Sequence, residues 1–204
     1  MYNNVLIFEN FVSKDSEILR VISGYAKGRK LLTPPNMDTR PTSDRVKEAV
    51  FSIIQNHIMG STFLDLFSGT GQIGIEALSR GASDCVFVDN SKESIAIINK
   101  NIEAASQVIP DINCKVLCAD IADAIPKLKK AGLFNIIFMD PPYDSDLVEK
   151  ALINIYDSNI LHPDGFVIIE KPESKDINIP NMFNILNQKK YGSTSILIVK
   201  TEDV

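Results

Sequence analysis

The 204-residue chain has no tryptophan, only two histidines and only three cysteines. Three thiols cannot all pair, and Cys85, Cys114 and Cys118 each fall in an apolar stretch that reads as strand, so buried reduced thiols are expected in place of a disulfide framework. Cys114 and Cys118 lack companion ligands at metal-site spacing, and no metal is expected. Long apolar runs are missing too: none approaches the roughly 18 to 20 residues that cross a bilayer. Val5-Leu6-Ile7-Phe8 is too short and too acidic at its flanks for a secretory signal, so the chain reads as cytoplasmic, with no membrane partner. It also lacks an excess of positive charge. A net charge of -5 disfavours indiscriminate binding to polyanions.

What remains is an ordinary globular composition, 45% apolar and 23% charged, of a size suited to a single core. Charge is unevenly placed. Residues 20 to 50 carry seven basic side chains (Arg20, Lys27, Arg29, Lys30, Arg40, Arg45, Lys47) against three acidic ones (Asp38, Asp44, Glu48), a balance of +4 inside an acidic protein. From residue 62 short apolar runs alternate with amphipathic stretches, the pattern of βα units that build a mostly parallel sheet. Strands are expected at Thr62 to Phe67, Asp84 to Asp89, Asn113 to Ala119, Phe134 to Asp140 and Gly165 to Glu170. Helices are expected at Gln72 to Arg80, Lys92 to Ala105, Ile121 to Lys130 and Ser145 to Ser158. A loop then leads to an antiparallel hairpin, Phe183 to Tyr191 and Thr194 to Lys200, turning at Gly192-Ser193. Upstream, Val46, Ala49, Val50, Ile53 and Ile54 predict a helix over Ser43 to His57 capped by Ser43, preceded by a short strand pair over Val21 to Leu32. The chain thus divides into an irregular extension (1–19), a small basic subdomain (20–58) and a main domain (59–204).

Two turns carry chemistry. Asp65-Leu66-Phe67-Ser68-Gly69-Thr70-Gly71 joins the first strand to a helix containing Gly74, and such a glycine turn lets a ligand approach amide N–H groups at a helix N-terminus. Gly69, Gly71 and Gly74 also meet the dinucleotide spacing, so an NAD enzyme has to be weighed. Asp65 argues for S-adenosylmethionine instead, because an anion there favours a sulfonium and an ammonium. Asp89, with Asn90 beside it, ends the second strand eighteen residues beyond Gly71, where a carboxylate can accept ribose hydroxyls. Asp120 ends the third and can accept an adenine amino group, with Ile121 near the ring. The second turn, Asp140-Pro141-Pro142-Tyr143, follows the fourth strand. A carboxylate, two prolines and an aromatic ring there make a rigid acceptor site beside a stacking platform, suited to a planar base with an exocyclic amino group.

These segments resemble the RsmD family within the Rossmann-like S-adenosylmethionine-dependent methyltransferases. The resemblance runs from about Arg20 to Lys200 and is most specific at Arg20 to Leu31, Arg40-Pro41-Thr42-Ser43-Asp44-Arg45, Asp65 to Arg80 and Asp140 to Tyr143. It implies a seven-stranded sheet of order 3-2-1-4-5-7-6 with the last strand antiparallel, and a monomer. It implies methyl transfer to N2 of a guanine, guanine 966 of 16S rRNA, presented by the small ribosomal subunit or its assembly intermediate. Asp140, Pro141, Pro142 and Tyr143 are then the catalytic set. Asp65, Phe67, Ser68, Gly69, Thr70, Gly71, Gly74, Asp89, Asn90, Asp120 and Ile121 hold the cofactor, and Lys27, Arg29, Lys30, Arg40, Thr42 and Arg45 hold RNA. Rivals are an amino methyltransferase acting on DNA adenine-N6, DNA cytosine-N4 or protein glutamine, and a non-catalytic RNA-binding assembly factor on the same fold.

Overall fold

Strands rich in β-branched and aromatic residues that are apolar on both faces need cover on both sides, and helices supply it. The computed structural model describes residues 19–34, 44–142 and 145–202. Its strands are β1 (Thr62–Leu66), β2 (Asp84–Asp89), β3 (Cys114–Cys118), β4 (Phe134–Met139), β5 (Leu161–Pro172), β6 (Phe183–Tyr191) and β7 (Thr194–Thr201). They form one sheet in the order β3-β2-β1-β4-β5-β7-β6, with β1 to β5 parallel and β7 antiparallel between β5 and β6. The sheet is the Rossmann-like methyltransferase arrangement that the resemblance implied.

Helices α1 (Asp44–Ile53), α2 (Gln55–Ile58), α3 (Gln72–Ser79) and α4 (Lys92–Ser106) lie toward one face; α5 (Ile121–Leu128) and α6 (Ser145–Ser158) toward the other. Alternation assigns the faces. Phe63, Phe87, Phe138 and Ile168 join Val50, Phe51, Ile75 and Ile98 in one core, while Leu64, Val88, Ile137 and Val167 join Ile125, Leu152 and Ile155 in the other. Leu19, Val21, Ala26 and Leu31 belong to the first core, so the basic segment packs directly onto the sheet's helical layer.

Several local expectations change, among them the fifth strand, which runs over Leu161–Pro172 and not only from Gly165 to Glu170. The helix expected through His57 breaks at Ile54, where φ is −100° and ψ 9°, and resumes as α2 before Gly60, at φ +73°, turns the chain toward β1. The N-terminal strand pair is a single Arg20–Lys30 bridge with flanking turn bonds. β1 stops at Leu66, because Phe67 enters the left-handed region at φ +58°. Cys85 is buried as expected, but Cys114 is half-buried and Cys118 exposed, since β3 is an edge strand. The Ser43 cap lies outside the described residues.

β6 is the opposite edge. Its pairing with β7 slips between Ile185 and Asn187, leaving Leu186 in a bulge, and both Ile185 and Leu186 are exposed.

Candidate active site

Strand order fixes where the acidic residues meet. β1 lies between β2 and β4, with Leu66 level with Val88 and with Met139, so the chain leaves all three strands at one height. Phe67, Asp89 and Asp140 therefore share one rim, and Asp120 follows β3 one strand further out. From β3 to β4 is three inter-strand steps, about 14 Å at the usual spacing. Open α/β sheets bind ligands at this end, where the connections diverge to opposite faces.

The turn after β1 is stiff. Phe67, Gly69 and Gly71 all have positive φ, at 58°, 55° and 75°. A bulky non-glycine residue in that region carries backbone strain, and such strain concentrates at ligand sites. Ser68 staples the turn to β2: its hydroxyl donates to Asp65 O at 2.6 Å and accepts from Val88 N at 2.9 Å, and its amide donates to Val88 O. Its side chain is thus a buried brace, and any ligand contact here falls to its neighbours. Gly74 also turns inward. A Cβ there would lie 2.3 Å from Phe87 Cε1 and 2.6 Å from Cys85 Sγ, so this third glycine serves close packing of α3 on β2.

Asp65 is 2% exposed, and its Oδ2 accepts the Gly74 N–H at 3.0 Å. Gly71 has no side chain to cap α3, so the neighbouring strand supplies the cap. Burial pushes the Asp65 carboxyl well above its usual range; the Gly74 N–H opposes this and the Asp89 and Asp140 charges add to it. Asp89 braces the turn as well, Oδ2 accepting from Gly69 N and Oδ1 from Ser91 N, each at 2.8 Å. Each carboxylate oxygen has about two acceptor sites, so capacity remains on both. Asn90 is exposed beside it, and its carbonyl takes a weak thiol contact from Cys118 at 3.8 Å. Asp120 is exposed and caps α5 through Oδ1 to Ala122 N at 3.0 Å, with Ile121 buried beneath.

At the tip of β4 no described residue hydrogen-bonds the Asp140 carboxylate. The residue keeps an exposed edge, yet the protein packed around its base makes the anion costly and pushes the pKa from 3.8 up to about 6. Pro141 and Pro142 follow, half-buried and exposed; Tyr143 lies outside the described residues.

Among the described residues, the basic side chains do not all gather at this rim. Tyr25 N donates to Ser79 O at 2.8 Å, and Ser79 ends α3, so the tip of the basic turn, with Lys27, sits about 12 Å down that helix from the glycine turn, while Lys30 pairs with Arg20 at the end nearer Gln72. Lys27 and Lys30 are exposed, and Arg29 donates to Gln107 Oε1 at 3.1 Å. Arg45 is exposed in the first turn of α1; Arg40 and Thr42 lie outside the described residues. Lys47, counted with the basic face from sequence, is fully buried. Its Nζ donates to Arg20 O at 2.6 Å and faces Glu76 Oε2 at 3.9 Å.

Sequence reasoning missed two buried polar residues here. Glu76 is fully buried and accepts from Ile22 N (2.7 Å), Ser23 N (3.0 Å) and Arg80 Nε (2.7 Å). Asn101 bonds Leu32 and Thr70. Each is a polar residue amid apolar neighbours, Glu76 within Gly74-Ile75-Glu76-Ala77-Leu78 and Asn101 on the Ile95/Ile98/Ile102 face, and that was the available signal.

A parallel sheet of this order, with a strained glycine turn after β1, acidic residues after β2 and β3 and Asp-Pro-Pro after β4, defines the class of Rossmann-like S-adenosylmethionine-dependent methyltransferases. The model of the family described as "Conserved hypothetical protein 95" matches residues 19–200. The chain belongs to this family, the RsmD family of rRNA methyltransferases. It is 35% identical over 186 residues to "Putative rRNA methyltransferase YlbH" of Bacillus subtilis, covering 89% of this chain and 98% of that protein. It is 30% identical over 177 residues to "Ribosomal RNA small subunit methyltransferase D" of Haemophilus influenzae, covering 87% and 91%. The solved structure of "Putative methyltransferase yhhF" from Escherichia coli superposes with a TM-score of 0.77 at 26% identity, covering 91% of this chain and 99% of that one.

Proposed function

We propose that this protein transfers a methyl group from S-adenosylmethionine to the exocyclic N2 of a guanine in small-subunit rRNA, at guanine 966 of 16S rRNA. The observation that carries the reading is Asp140, a carboxylate with no hydrogen bond from any other described residue, held at the same rim as the glycine turn.

The residues fit the donor. Asp89 and Asp120 have acceptor capacity for hydroxyl and amino groups, Ile121 supplies an apolar surface, and Gly69, Thr70 and Gly71 form a turn of positive φ that backbone-close ligands require. Asp65 lies buried below, beside two further carboxylates, and a cation at the rim relieves that repulsion. When bound, the donor supplies an electrophilic methyl on a sulfonium.

The protein's task is to present the amine. An exocyclic guanine nitrogen is a poor nucleophile because its lone pair is delocalised into the ring. Accepting its N–H groups at the Asp140 carboxylate and the Pro141 carbonyl turns the lone pair out of that plane, and two prolines keep both acceptors fixed. As the nitrogen–methyl bond forms, the nitrogen gains positive charge, and the adjacent carboxylate stabilises it and takes the proton. With a pKa of about 6, Asp140 is ionised at neutral pH yet basic enough to receive it. Tyr143 stacks on the base, worth roughly 1 to 3 kcal/mol, offsetting part of the few kcal/mol of unstacking.

Lys27, Arg29, Lys30, Arg40, Thr42 and Arg45 contact the RNA backbone, with Tyr25 (61% exposed) among them. The spread of Tyr25, Lys27, Arg29 and Lys30 along the length of α3 suits a folded RNA rather than a short strand. The enzyme acts as a cytoplasmic monomer on the small subunit or its assembly intermediate.

Labelled methyl transfer offered in parallel to small subunits, deproteinised rRNA, DNA and protein tests the reading, with the methylated nucleotide mapped. Label at guanine N2 is expected. Label only on DNA or on glutamine would replace the substrate, and no label anywhere would return the chain to a binding role.

A further inference from the structure

We infer that Lys47 and Asn101 are positioning residues that latch the two ends of the basic N-terminal turn to the two residues flanking Gly71, so that donor binding is transmitted to residues 20–32. The inference rests on the methyltransferase reading above and adds to it a link between the donor site and an RNA-contacting turn whose tip lies a helix length away.

Arg20 and Lys30 pair across the isolated bridge, so Arg20 and Leu32 are the two ends of one turn. Thr70 and Gln72 stand on either side of Gly71, where the glycine turn becomes α3. Lys47 reaches both pairs from one side: its Nζ donates to Arg20 O at 2.6 Å and to Gln72 Oε1 at 3.5 Å. Asn101 reaches both from the other. Its Nδ2 donates to Thr70 O at 2.9 Å and Leu32 O at 3.1 Å, while its Oδ1 accepts the Leu32 N–H at 2.7 Å. The two side chains come from different helices, α1 and α4, and are 0% and 1% exposed.

Stability alone is a poor reason for this chemistry. An ammonium stripped of water is costly, and well-packed apolar residues in place of buried polar networks are commonly neutral or stabilising. What apolar packing does not supply is register, since only directional bonds fix which backbone atom faces which. Here all the bonds to the glycine turn from these two residues end on Thr70 and Gln72, the positions that must hold still or shift when a ligand seats on the amides between them. The same two residues hold the ends of the segment carrying Lys27, Arg29 and Lys30. Coupling is reciprocal, so RNA engaging that segment tightens the donor site to the same degree that donor tightens the segment.

Amide hydrogen exchange on the full-length protein, with S-adenosylhomocysteine as the probe, reads the latch without needing RNA. In the unsubstituted protein, saturating probe should slow exchange at Gly69 to Ile75 and also, by at least about threefold, at Val21, Leu31 and Leu32. Asn101→Leu, close in volume, removes the bonds to both Thr70 and Leu32. In that variant protection should remain at the glycine turn and vanish at Leu31 and Leu32. In Lys47→Met it should vanish at Val21, and either variant suffices if the other does not fold. Protection confined to Gly69–Ile75 in the unsubstituted protein sinks the inference, as does an unchanged pattern in a folded variant. Methyl transfer to rRNA is assayed on the same samples: its absence beside an intact exchange pattern would count against the substrate assignment alone.

Discussion

Two buried carboxylates eleven residues apart, Glu76 and Asp65, live in opposite surroundings. Glu76 has two backbone N–H groups, the Arg80 guanidinium and the Lys47 ammonium around it. Asp65 has one backbone N–H and the like charges of Asp89 and Asp140, with burial raising its pKa. A charge that the fold has neutralised is a joint, and a buried carboxyl whose ionised form is disfavoured by burial and by neighbours of its own sign marks where a cation belongs. The contrast separates the part of the molecule built to hold still from the part built to receive a ligand.

The largest expected effect tests the receiving side. Asp140→Ala should lower methyl transfer by roughly a thousandfold or more, about 4 kcal/mol of barrier, while donor affinity measured by calorimetry stays within a few-fold. Retained turnover would remove Asp140 from the chemistry. Next comes the joint: Glu76→Leu strands Lys47 and two amides, and should cost about 3 to 5 kcal/mol in denaturant unfolding. A cost below about 1 kcal/mol would mean that Glu76 and Asp65 do not differ as described.

A smaller effect is a pH dependence. The folded-state pKa of Asp140 is raised, so the proton binds the folded protein more tightly. Its stabilising contribution is fully present below pH 3.8 and is lost as pH rises through about 6. Asp140→Asn should therefore melt higher than the unsubstituted protein at pH 7.5, with the gap closing toward pH 4. Methyl transfer should fall up to tenfold per unit below about pH 6 as the acceptor protonates. A profile flat from pH 5 to 8 would break the link between acceptor and charge. The smallest effect concerns the basic turn, where replacing both Lys27 and Lys30 by alanine should flatten the salt dependence of RNA binding by a log–log slope of about 1.5, leaving donor affinity alone. An unchanged slope would confine RNA to the rim.

Much of the sheet was legible because its signal is local. Val86-Phe87-Val88 or Ile136-Ile137-Phe138 between glycine-bounded amphipathic stretches can hardly be anything but buried strand, and the strand order came with the resemblance rather than from periodicity. The rim residues Asp89, Asp120 and Asp140 were legible because each directly follows or ends such a run. What stayed hidden depends on distant partners. Nothing near Lys47 announces that its ammonium lies under Arg20 and Gln72, so it read as one more surface cation. Asp65 read as a ligand to the donor, since its role as the missing cap of α3 needs the fold to be seen. Cys118 read as buried because its apolar run looks like that of a central strand, although the order that the resemblance implied puts β3 at an edge.

The bulge at Leu186 bears on how copies of this chain meet. β6 ends the sheet with Ile185 and Leu186 bare, and an uninterrupted strand there would present a row of vacant amides and carbonyls to a newcomer, the template from which fibrils extend. With the phase broken at one residue and Lys189 and Lys190 exposed a few positions on, an intruding strand finds no long stretch in step with it. A single unpaired leucine thus helps to keep a crowded solution of this protein from knitting itself together.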